Sequence, residues 1–302
     1  MIDKLEMFMA LAREKHFGRA AEERGVTQPT LSAAVKQLEE QLGVLLVLRG
    51  SRYQGLTPEG QRVLEWARRL VADVRTMQQE IRTVRDGLSG HLRIAAIPTA
   101  LSYVPELTTP FAEQNPGVRY SILSRSSADI LSLLENLEID AGVTYLGNEP
   151  VGRVVQVPLY RESYCLVTMR GAPLSERKRV TWGEVGRVPL CLLTRGMQNR
   201  RIVDSTLAEM NADATPTLES DSIVALMAHV RSGRWATIVP QSLAETFASE
   251  ALRIIPVTEP DVGTMVGLVT TRREPHAPLI AALLRLARQV SASRKAEALV
   301  HL

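Results

Sequence analysis

Residues 16–43 constrain the fold most, because their pattern is typical of two helices joined by a tight turn. Gly25 supplies the backbone freedom that such a turn requires. The second helix is predicted to begin after Thr27, a good N-cap, and Pro29 falls in its first turn, where a missing N–H is tolerated. Gly43 stands where a C-terminal cap belongs. Spacings of four, three and four predict a buried face formed by Leu31, Val35, Leu38 and Leu42.

The opposite face of this second helix is small, polar and mostly uncharged. A helix that enters the major groove of DNA needs this mixture. Gln can pair with adenine, Ser and Thr can bond base edges or phosphates, and Lys can bind a phosphate. The predicted DNA contacts on this helix are Gln28, Pro29, Thr30, Ser32, Ala33 and Lys36. The alternative is that this face is an ordinary solvated surface of a helix pair. The flanking sequence favours a DNA-binding face instead.

Residues 42–60 predict a β-hairpin directly after that helix, which is typical of a wing. Arg49 and Arg52 fall at its predicted tip, and no acidic residue between positions 41 and 58 neutralises them. They are therefore candidates for contacts to phosphates or to the minor groove. A turn that only improves solubility is the alternative.

Residues 58–88 predict one long helix with an unbroken heptad seam. The seam comprises Val63, Ala67, Leu70, Val74, Met77, Ile81, Val84 and Leu88. A helix of this length spans about 45 Å at ~1.5 Å per residue, too long to bury the seam against a small domain. We expect it to pair with the same helix of a second chain, which would place two recognition helices on successive major grooves of a pseudo-palindrome. Packing against the chain's own body is the alternative.

Beyond two closely spaced glycines, Gly87 and Gly90, the pattern changes to alternating strands and helices. This rhythm predicts an α/β body with a mostly parallel sheet covered on both faces. The predicted strands are 92–97, 119–124, 139–146, 162–169, 188–194, 215–221, 235–240 and 265–271. The predicted helices are 101–114, 127–137, 199–210, 222–231 and 277–292.

Three of these strands end in loops that could converge on one cleft. Ligands of open α/β sheets bind outside the carboxyl ends of strands, close to helix N-termini. The loops are 98–102, 125–127 and 195–199, and their hydroxyl groups belong to Thr99, Ser102, Ser126 and Ser127. Together with helix N–H groups they suit an anion such as a carboxylate. For any single Ser or Thr, a plain N-cap role is the alternative.

The bulk properties exclude several classes of protein. No apolar run approaches the ~20 residues that span a bilayer, and the first residues lack the basic start and apolar core of a signal peptide, so we expect a cytoplasmic protein. The net charge of +3 points only weakly to nucleic acid. Cys165 and Cys191 lie in apolar runs, which argues against a disulfide framework. No metal site, cofactor or catalytic residue is predicted.

The N-terminal pattern resembles the signature of LysR-type transcriptional regulators. The matching positions are Phe17, Arg19, Ala20, Ala21, Val26, Thr27, Gln28, Pro29, Leu31, Ser32, Leu38, Glu39, Leu42, Gly43, Leu46, Arg49, Leu56, Thr57 and Gly60. Two positions depart from it: Ala33 stands where the family often has Arg, and Val47 where it usually has Phe. The rest of the chain resembles the family more loosely, in length and order of elements.

The resemblance implies a fold class, α/β with an N-terminal all-α winged helix-turn-helix and a C-terminal two-lobed domain like the type II periplasmic binding proteins. The implied domains are a DNA-binding domain at 1–58, a dimerisation linker helix at 59–88 and an effector-binding domain at 89–302, with lobe I about 91–161 and 266–302 and lobe II about 162–265. The effector contacts of the family match Thr99, Ser127, Met197 and Gln198. Relatives often form tetramers. Trp235 departs from the family pattern V-x-x-G-x-G, so the resemblance does not extend to the effector of any one relative.

The resemblance also bears on redox sensing. Some relatives sense peroxide with cysteines in a loop that here reads TRGMQNRR and contains none. A redox role for the two cysteines of this chain is therefore disfavoured.

The leading hypothesis is a sequence-specific DNA-binding transcriptional regulator. Its C-terminal cleft is expected to bind a small anionic metabolite that alters DNA binding or promoter geometry. One alternative is an enzyme, although the chain lacks a nucleophile elbow, a Walker loop, a Rossmann fingerprint and paired catalytic carboxylates. A transporter's solute-binding protein is another, opposed by the missing signal peptide and by the DNA-reading domain.

Overall fold

The computed structural model describes residues 1–48, 53–147, 154–212 and 214–300. Arg49 and Arg52, predicted at the tip of the wing, lie outside the described residues. The chain divides into two compact units. The first, called the N-terminal unit, is Met1–Gly87 with Glu135–Glu138 and Pro275–Pro278, and the second, the C-terminal unit, holds the remainder.

Four helices form the N-terminal unit: α1 Ile2–Glu14, α2 Phe17–Glu23, α3 Gln28–Leu42 and α4 Pro58–Asp86. The predicted caps are confirmed, since the Thr27 hydroxyl accepts the N–H of Thr30 at 3.4 Å and Gly43 has a φ of 71°. The core packs Leu5, Phe8, Leu11, Leu31, Val35, Leu38, Leu64 and Val71. The prediction for Leu42 is wrong, because this last residue of α3 stands where the chain turns away at Gly43, and it is 41% exposed.

The hairpin predicted after α3 is confirmed on both sides of the undescribed tip. Val47 and Leu56 form an antiparallel bridge, and the Leu48 N–H donates to the Gly55 carbonyl at 3.0 Å. The Glu39 carboxylate accepts the N–H groups of Leu46 at 2.7 Å and Val47 at 3.2 Å. Glu39 therefore fixes the hairpin to the last turn of α3.

Gly60 closes the junction between the hairpin and α4, and only a glycine fits there. Its N–H donates to the Thr57 hydroxyl at 2.9 Å, and a Cβ on Gly60 would lie 2.1 Å from the Leu46 carbonyl oxygen. Because that neighbour is backbone, we expect Gly60→Ala to lower the free energy of unfolding of the N-terminal unit by about 1–3 kcal/mol. Urea unfolding combined with hydrogen exchange measures this. Gly183→Ala, where the added methyl group has room, is the control, and equal stability of the two variants would contradict the expectation.

The C-terminal unit contains ten strands among its described residues. They are β1 Gly90–Ala96, β2 Val118–Ser124, β3 Ala141–Tyr145, β4 Val154–Met169, β5 Val180–Thr181, β6 Cys191–Leu193, β7 Leu218–Ser220, β8 Thr237–Pro240, β9 Leu252–Thr258 and β10 Gly263–Thr271. The helices are a 3₁₀ turn at Pro98–Ala100, α5 Val104–Gln114, α6 Ser127–Glu135, α7 Trp182–Val185, α8 Gln198–Glu209, α9 Ile223–Arg231, α10 Gln241–Thr246 and α11 Pro278–Val300. The sequence patterns did not predict β5, α7, α10 or β9.

The main sheet is mixed, which corrects the expectation of a mostly parallel one. Its strand order is β2-β1-β3-β10-β4-β9-β5, with β8 also paired to β4. The pairs β1–β2, β1–β3 and β5–β9 are parallel, whereas β10 runs antiparallel to β3 and β4, and β4 antiparallel to β8 and β9. The order of helices and strands alone did not reveal that β10 returns between β3 and β4.

The long strand β4 connects two halves of this unit. Residues 154–163 of β4 pair with β10, and residues 164–169 pair with β8 and β9. One core lies on the first half, with Ile94, Leu107 and Leu268, and two further clusters lie on the second, around Trp182 and Leu226. Only the second part of β4, 162–169, was predicted. Among the described helices, none has both the length and the apolar character of a membrane span.

Candidate DNA-binding face and ligand cleft

The predicted DNA contacts of α3 form one exposed face. Gln28, Pro29, Thr30, Ser32, Ala33 and Lys36 are all exposed, and the opposite face is buried. At the N-terminal end of the helix, the hydroxyl groups of Thr27 and Thr30 lie 2.8 Å apart. The Lys36 ammonium lies 3.8 Å from the Glu40 carboxylate, an exposed pair that leaves Lys36 able to meet a phosphate. This geometry is what a major-groove helix requires.

Helix α4 carries an exposed apolar stripe, which we call the α4 stripe: Trp66, Leu70, Met77, Ile81 and Val84. These residues are 43–90% exposed. Ala67, predicted in the seam, instead lies in the core of the N-terminal unit beside Leu64 and Val71, because the first turns of α4 face α1. Val63 and Val74 are half-buried. In the single chain the α4 stripe is therefore open to solvent, whereas Ala67 is covered by the core of the N-terminal unit.

A cleft in the C-terminal unit brings together most of the predicted effector contacts. The space between its lining residues is about 200 Å³, a figure that includes open solvent. Its lining comprises Ile97, Pro98, Thr99, Ser126, Ser127, Tyr145, Leu193, Met197, Gln198 and Asn199. Ser102 is not among them, since it follows the 3₁₀ turn and lies beyond the strand end. Tyr145 was missed, although it ends strand β3 and the strand-end rule could have found it.

The lining of the cleft is uncharged but rich in hydrogen-bonding groups. The hydroxyl of Ser127 is buried and has no partner among the described residues. The hydroxyl of Ser126 accepts the N–H of Asp129 at 3.2 Å, so Ser126 acts as the N-cap of α6. Helix α8 also begins in the lining, at Gln198. N–H groups at two helix starts, with a free hydroxyl, can hold a carboxylate or another small anion.

Beneath the cleft lies a buried network that we call the floor network: Thr99, Tyr145, Glu162 and Asn199. The Tyr145 hydroxyl donates to the Glu162 carboxylate at 2.8 Å and lies 3.1 Å from the Thr99 hydroxyl. The Asn199 amide donates to the same Tyr145 oxygen at 3.5 Å. Burial raises the pKa of Glu162 to about 7, and the hydroxyl hydrogen bonds only partly oppose it. Sequence reasoning missed Glu162, because its role depends on burial.

Arg200 fixes the start of α8, where Gln198 and Asn199 line the cleft. Its guanidinium is buried and donates to Asp204 at 2.6 Å, to Glu219 at 2.7 Å and to the Leu193 carbonyl at 2.9 Å. These bonds join α8 to β6 and β7.

We expect Arg200→Met to lower the free energy of unfolding by about 1–3 kcal/mol, because the Leu193 carbonyl loses its donor. The loss of the ion pairs with Asp204 and Glu219 adds little to this change, because both carboxylates are more than a third exposed and are stabilised by water. Hydrogen exchange of α8 and thermal unfolding measure it. Arg231→Met at the exposed end of α9 is the control. Unchanged exchange in α8 would show that Arg200 does not hold the helix.

The two cysteines are unsuited to redox chemistry at the surface. Both are free and fully buried, with Cys165 on β4 and Cys191 on β6. Burial raises the pKa of both thiols, that of Cys191 to about 11. A reactive cysteine instead needs access to solvent and a lowered pKa.

Comparison with known proteins identifies the class of this molecule. Residues 2–61 match the family model of bacterial regulatory helix-turn-helix proteins of the lysR family, and residues 85–292 match the LysR substrate binding domain. A probable hydrogen peroxide-inducible genes activator of Mycobacterium avium is 30% identical over 269 residues, 88% of this chain and 86% of that protein. The dual regulator OxyR of Escherichia coli K12 is 27% identical over 293 residues, covering 96% and 95%.

Solved structures agree with this match. A full-length OxyR variant from Pseudomonas aeruginosa superposes with a TM-score of 0.73 at 26% identity, covering 96% of this chain and 94% of that one. CbnR, solved with its target DNA, has the same fold, with a TM-score of 0.63 at 22% identity, covering 96% and 99%.

A winged helix-turn-helix followed by a ligand-binding α/β unit defines a class of DNA-binding transcriptional regulators. Within that class the chain belongs to the LysR family. The predicted family and fold class are thereby confirmed. The enzyme alternative is set aside, since the matched family and the relatives are regulators.

Proposed function

We propose that this regulator binds a pseudo-palindromic DNA site as a dimer and that a small anion, a carboxylate above all, changes that binding from the cleft. The observation that carries the proposal is the cleft itself, where two helix starts and the unpartnered Ser127 hydroxyl meet in an uncharged lining. Thr99, Ser126, Ser127, Met197 and Gln198 are the proposed ligand contacts, and Ser102 is not retained.

The α3 face is the proposed reading surface. Gln28 and Thr30, at the exposed N-terminal end, are assigned to base edges, and Lys36 to a phosphate. Ser32, Ala33 and Pro29 complete the surface, with Ala33 placed to contact a thymine methyl group. Arg49 and Arg52 remain proposed wing contacts on the grounds of sequence alone.

The proposed dimer forms through the α4 stripe. The stripe exposes large apolar side chains in a row along one helix. A parallel or antiparallel helix of a second chain would cover them. Residues Val63, Leu70, Val74, Met77, Ile81 and Val84 stay in the proposed interface, and Trp66 replaces Ala67. A tetramer, formed when two such dimers associate, is the larger assembly that the family resemblance suggests.

The domain bounds 1–58, 59–88 and 89–302 are likewise part of this proposal, as are lobe I about 91–161 and 266–302 and lobe II about 162–265. The separate cores on the two sides of Tyr164 support the division into lobes. We infer a cytoplasmic location, because the target is the cell's DNA.

Several relatives are named hydrogen peroxide-inducible genes activators. For this chain we propose a response to a bound ligand and not to oxidation of a thiol. Its two cysteines are the whole supply of thiols, and both are buried with raised pKa values.

Footprinting tests the proposal as a whole. The full chain is incubated with the intergenic DNA beside its own gene, with and without a panel of small organic acids. The expected result is a long protected region with dyad symmetry whose length or hypersensitivity changes with at least one acid. Protection that ignores every acid would contradict the ligand class, and no protection would contradict regulation of that DNA.

A further inference from the structure

Glu162 lies where the two halves of the C-terminal unit meet. It pairs with Thr264 of β10, and two residues later, at Tyr164, strand β4 begins to pair with β8. Its carboxylate is 1% exposed and is joined to the cleft lining by the side chains of Tyr145 and Thr99. Thr99 and Asn199 approach the same Tyr145 oxygen from the 3₁₀ turn and from α8. One acid is therefore linked to both sides of the cleft.

Within the part of the chain that the structure describes, the surroundings of Glu162 offer hydroxyl groups and no compensating cation. Among the described residues, its hydrogen bonds come from Tyr145, Thr99 and, at 3.5 Å, Tyr160. The neighbouring Arg161 is directed away and pairs with Asp261 at 3.2 Å. A buried carboxylate without a cation is costly to ionise.

The other titratable groups around this acid are phenols, and one distant guanidinium. Tyr164 lies on the same strand, and its pKa is raised by burial and then by Glu162. On the side of α5 and α11, the Tyr103 ring stacks on Tyr160 at 4.4 Å, and the Arg294 guanidinium lies over Tyr103 at 4.7 Å. Two rings thus separate Arg294 from Glu162, and Arg294 is paired with Glu106 at 3.7 Å. The phenols do not ionise near neutral pH, so Glu162 is the group that changes charge there.

We propose that Glu162 is a specificity-determining residue that sets the charge which the cleft accepts. When Glu162 holds a proton, the cleft admits an anion, and when Glu162 is ionised, the cleft repels one. Binding of an anionic effector then takes up one proton from solution. This inference rests on the ligand class proposed above.

The first arm of the test needs no ligand. Because the pKa of Glu162 is higher in the folded than in the unfolded protein, its contribution to stability is fully present at a pH below the ordinary pKa of a glutamate. This contribution is lost as the pH rises to about 7, where the folded protein also ionises. The melting temperature of Glu162→Gln relative to the native chain should therefore rise between pH 4.5 and 7 and stay level above pH 7. In Tyr145→Phe the Glu162 carboxylate loses a hydrogen-bond donor, which raises its pKa further. When Glu162→Gln is compared with native Glu162 in this Tyr145→Phe background, the difference in melting temperature should become level at a higher pH. Glu113→Gln, on the exposed side of α5, controls for loss of a negative charge. A difference that does not change with pH would overturn the proposal.

The second arm uses acetate, butyrate and benzoate, which stay ionised from pH 6 to pH 8. For a pKa of about 7 the protonated fraction of Glu162 falls about tenfold over this range. Calorimetry should thus show about tenfold weaker binding to the native chain at pH 8, with proton uptake, and equal binding at both pH values to Glu162→Gln. Binding to the native chain that is independent of pH would overturn this inference and leave the proposed ligand class intact. No binding to either protein at pH 6 would overturn both, while DNA binding in the footprint would be unaffected.

Discussion

Replacing Leu70 and Ile81 together by Glu is expected to convert the protein to a monomer and to weaken specific DNA binding about a hundredfold or more. Both side chains lie on the α4 stripe, and Ile81 is 64% exposed in the single chain. Four carboxylates, two from each chain, would be buried in the proposed interface, where they could not be solvated. A monomer then binds one half-site at a time, and the gain of about 10²–10⁴ from linking two half-sites disappears.

Multi-angle light scattering and gel-shift titration measure the two effects of this double variant. Gln61→Glu with Gln79→Glu is the matched control, because it adds the same charge on the side of α4 that is turned about 180° from Leu70. The control should remain dimeric and should bind DNA like the native chain. A Leu70→Glu, Ile81→Glu protein that stays dimeric would place the interface elsewhere.

Gln28→Ala should weaken binding to the specific site by about 1–3 kcal/mol, roughly fivefold to 150-fold, and leave non-specific binding almost unchanged. Gln28 is the first residue of α3, exposed at the end of the helix that a major groove would receive. Its amide can make two hydrogen bonds to the major-groove edge of adenine, and the variant removes both of these hydrogen bonds. Fluorescence anisotropy with specific and scrambled DNA gives the specificity ratio.

Gln41→Ala serves as the control for this substitution, since it removes the same amide from the exposed far end of the same helix. Its specificity ratio should equal that of the native chain. An unchanged ratio in Gln28→Ala would show that a different surface reads the bases.

Local signals were sufficient to predict the helices α3 and α4 of the N-terminal unit, although not which of their faces are buried. Thr27, Pro29 and Gly43 mark the bounds of α3 by capping chemistry that involves only neighbouring residues. The heptad pattern of α4 likewise predicted a long helix. It could not distinguish the turn that faces α1 from the turns that face outward, which is why Ala67 was placed in the seam and Trp66 was not.

The C-terminal unit shows what local patterns leave out. The strand-end rule brought Thr99, Ser127 and Gln198 to one cleft. The antiparallel return of β10 depends on contacts between residues more than a hundred positions apart, and no short window contains them. Glu162 in a sequence is an ordinary polar residue of a strand, and only the fold buries it beneath Tyr145.

Dimeric, sequence-specific recognition by α3 can be tested by selecting binding sites from a random DNA pool with the full chain. We expect enrichment of one inverted repeat, with half-sites about one helical turn (~10 base pairs) or a multiple of it apart, and loss of that enrichment in the Leu70→Glu, Ile81→Glu variant. Enrichment of no sequence, or of a single half-site without symmetry, would contradict dimeric, sequence-specific recognition by α3.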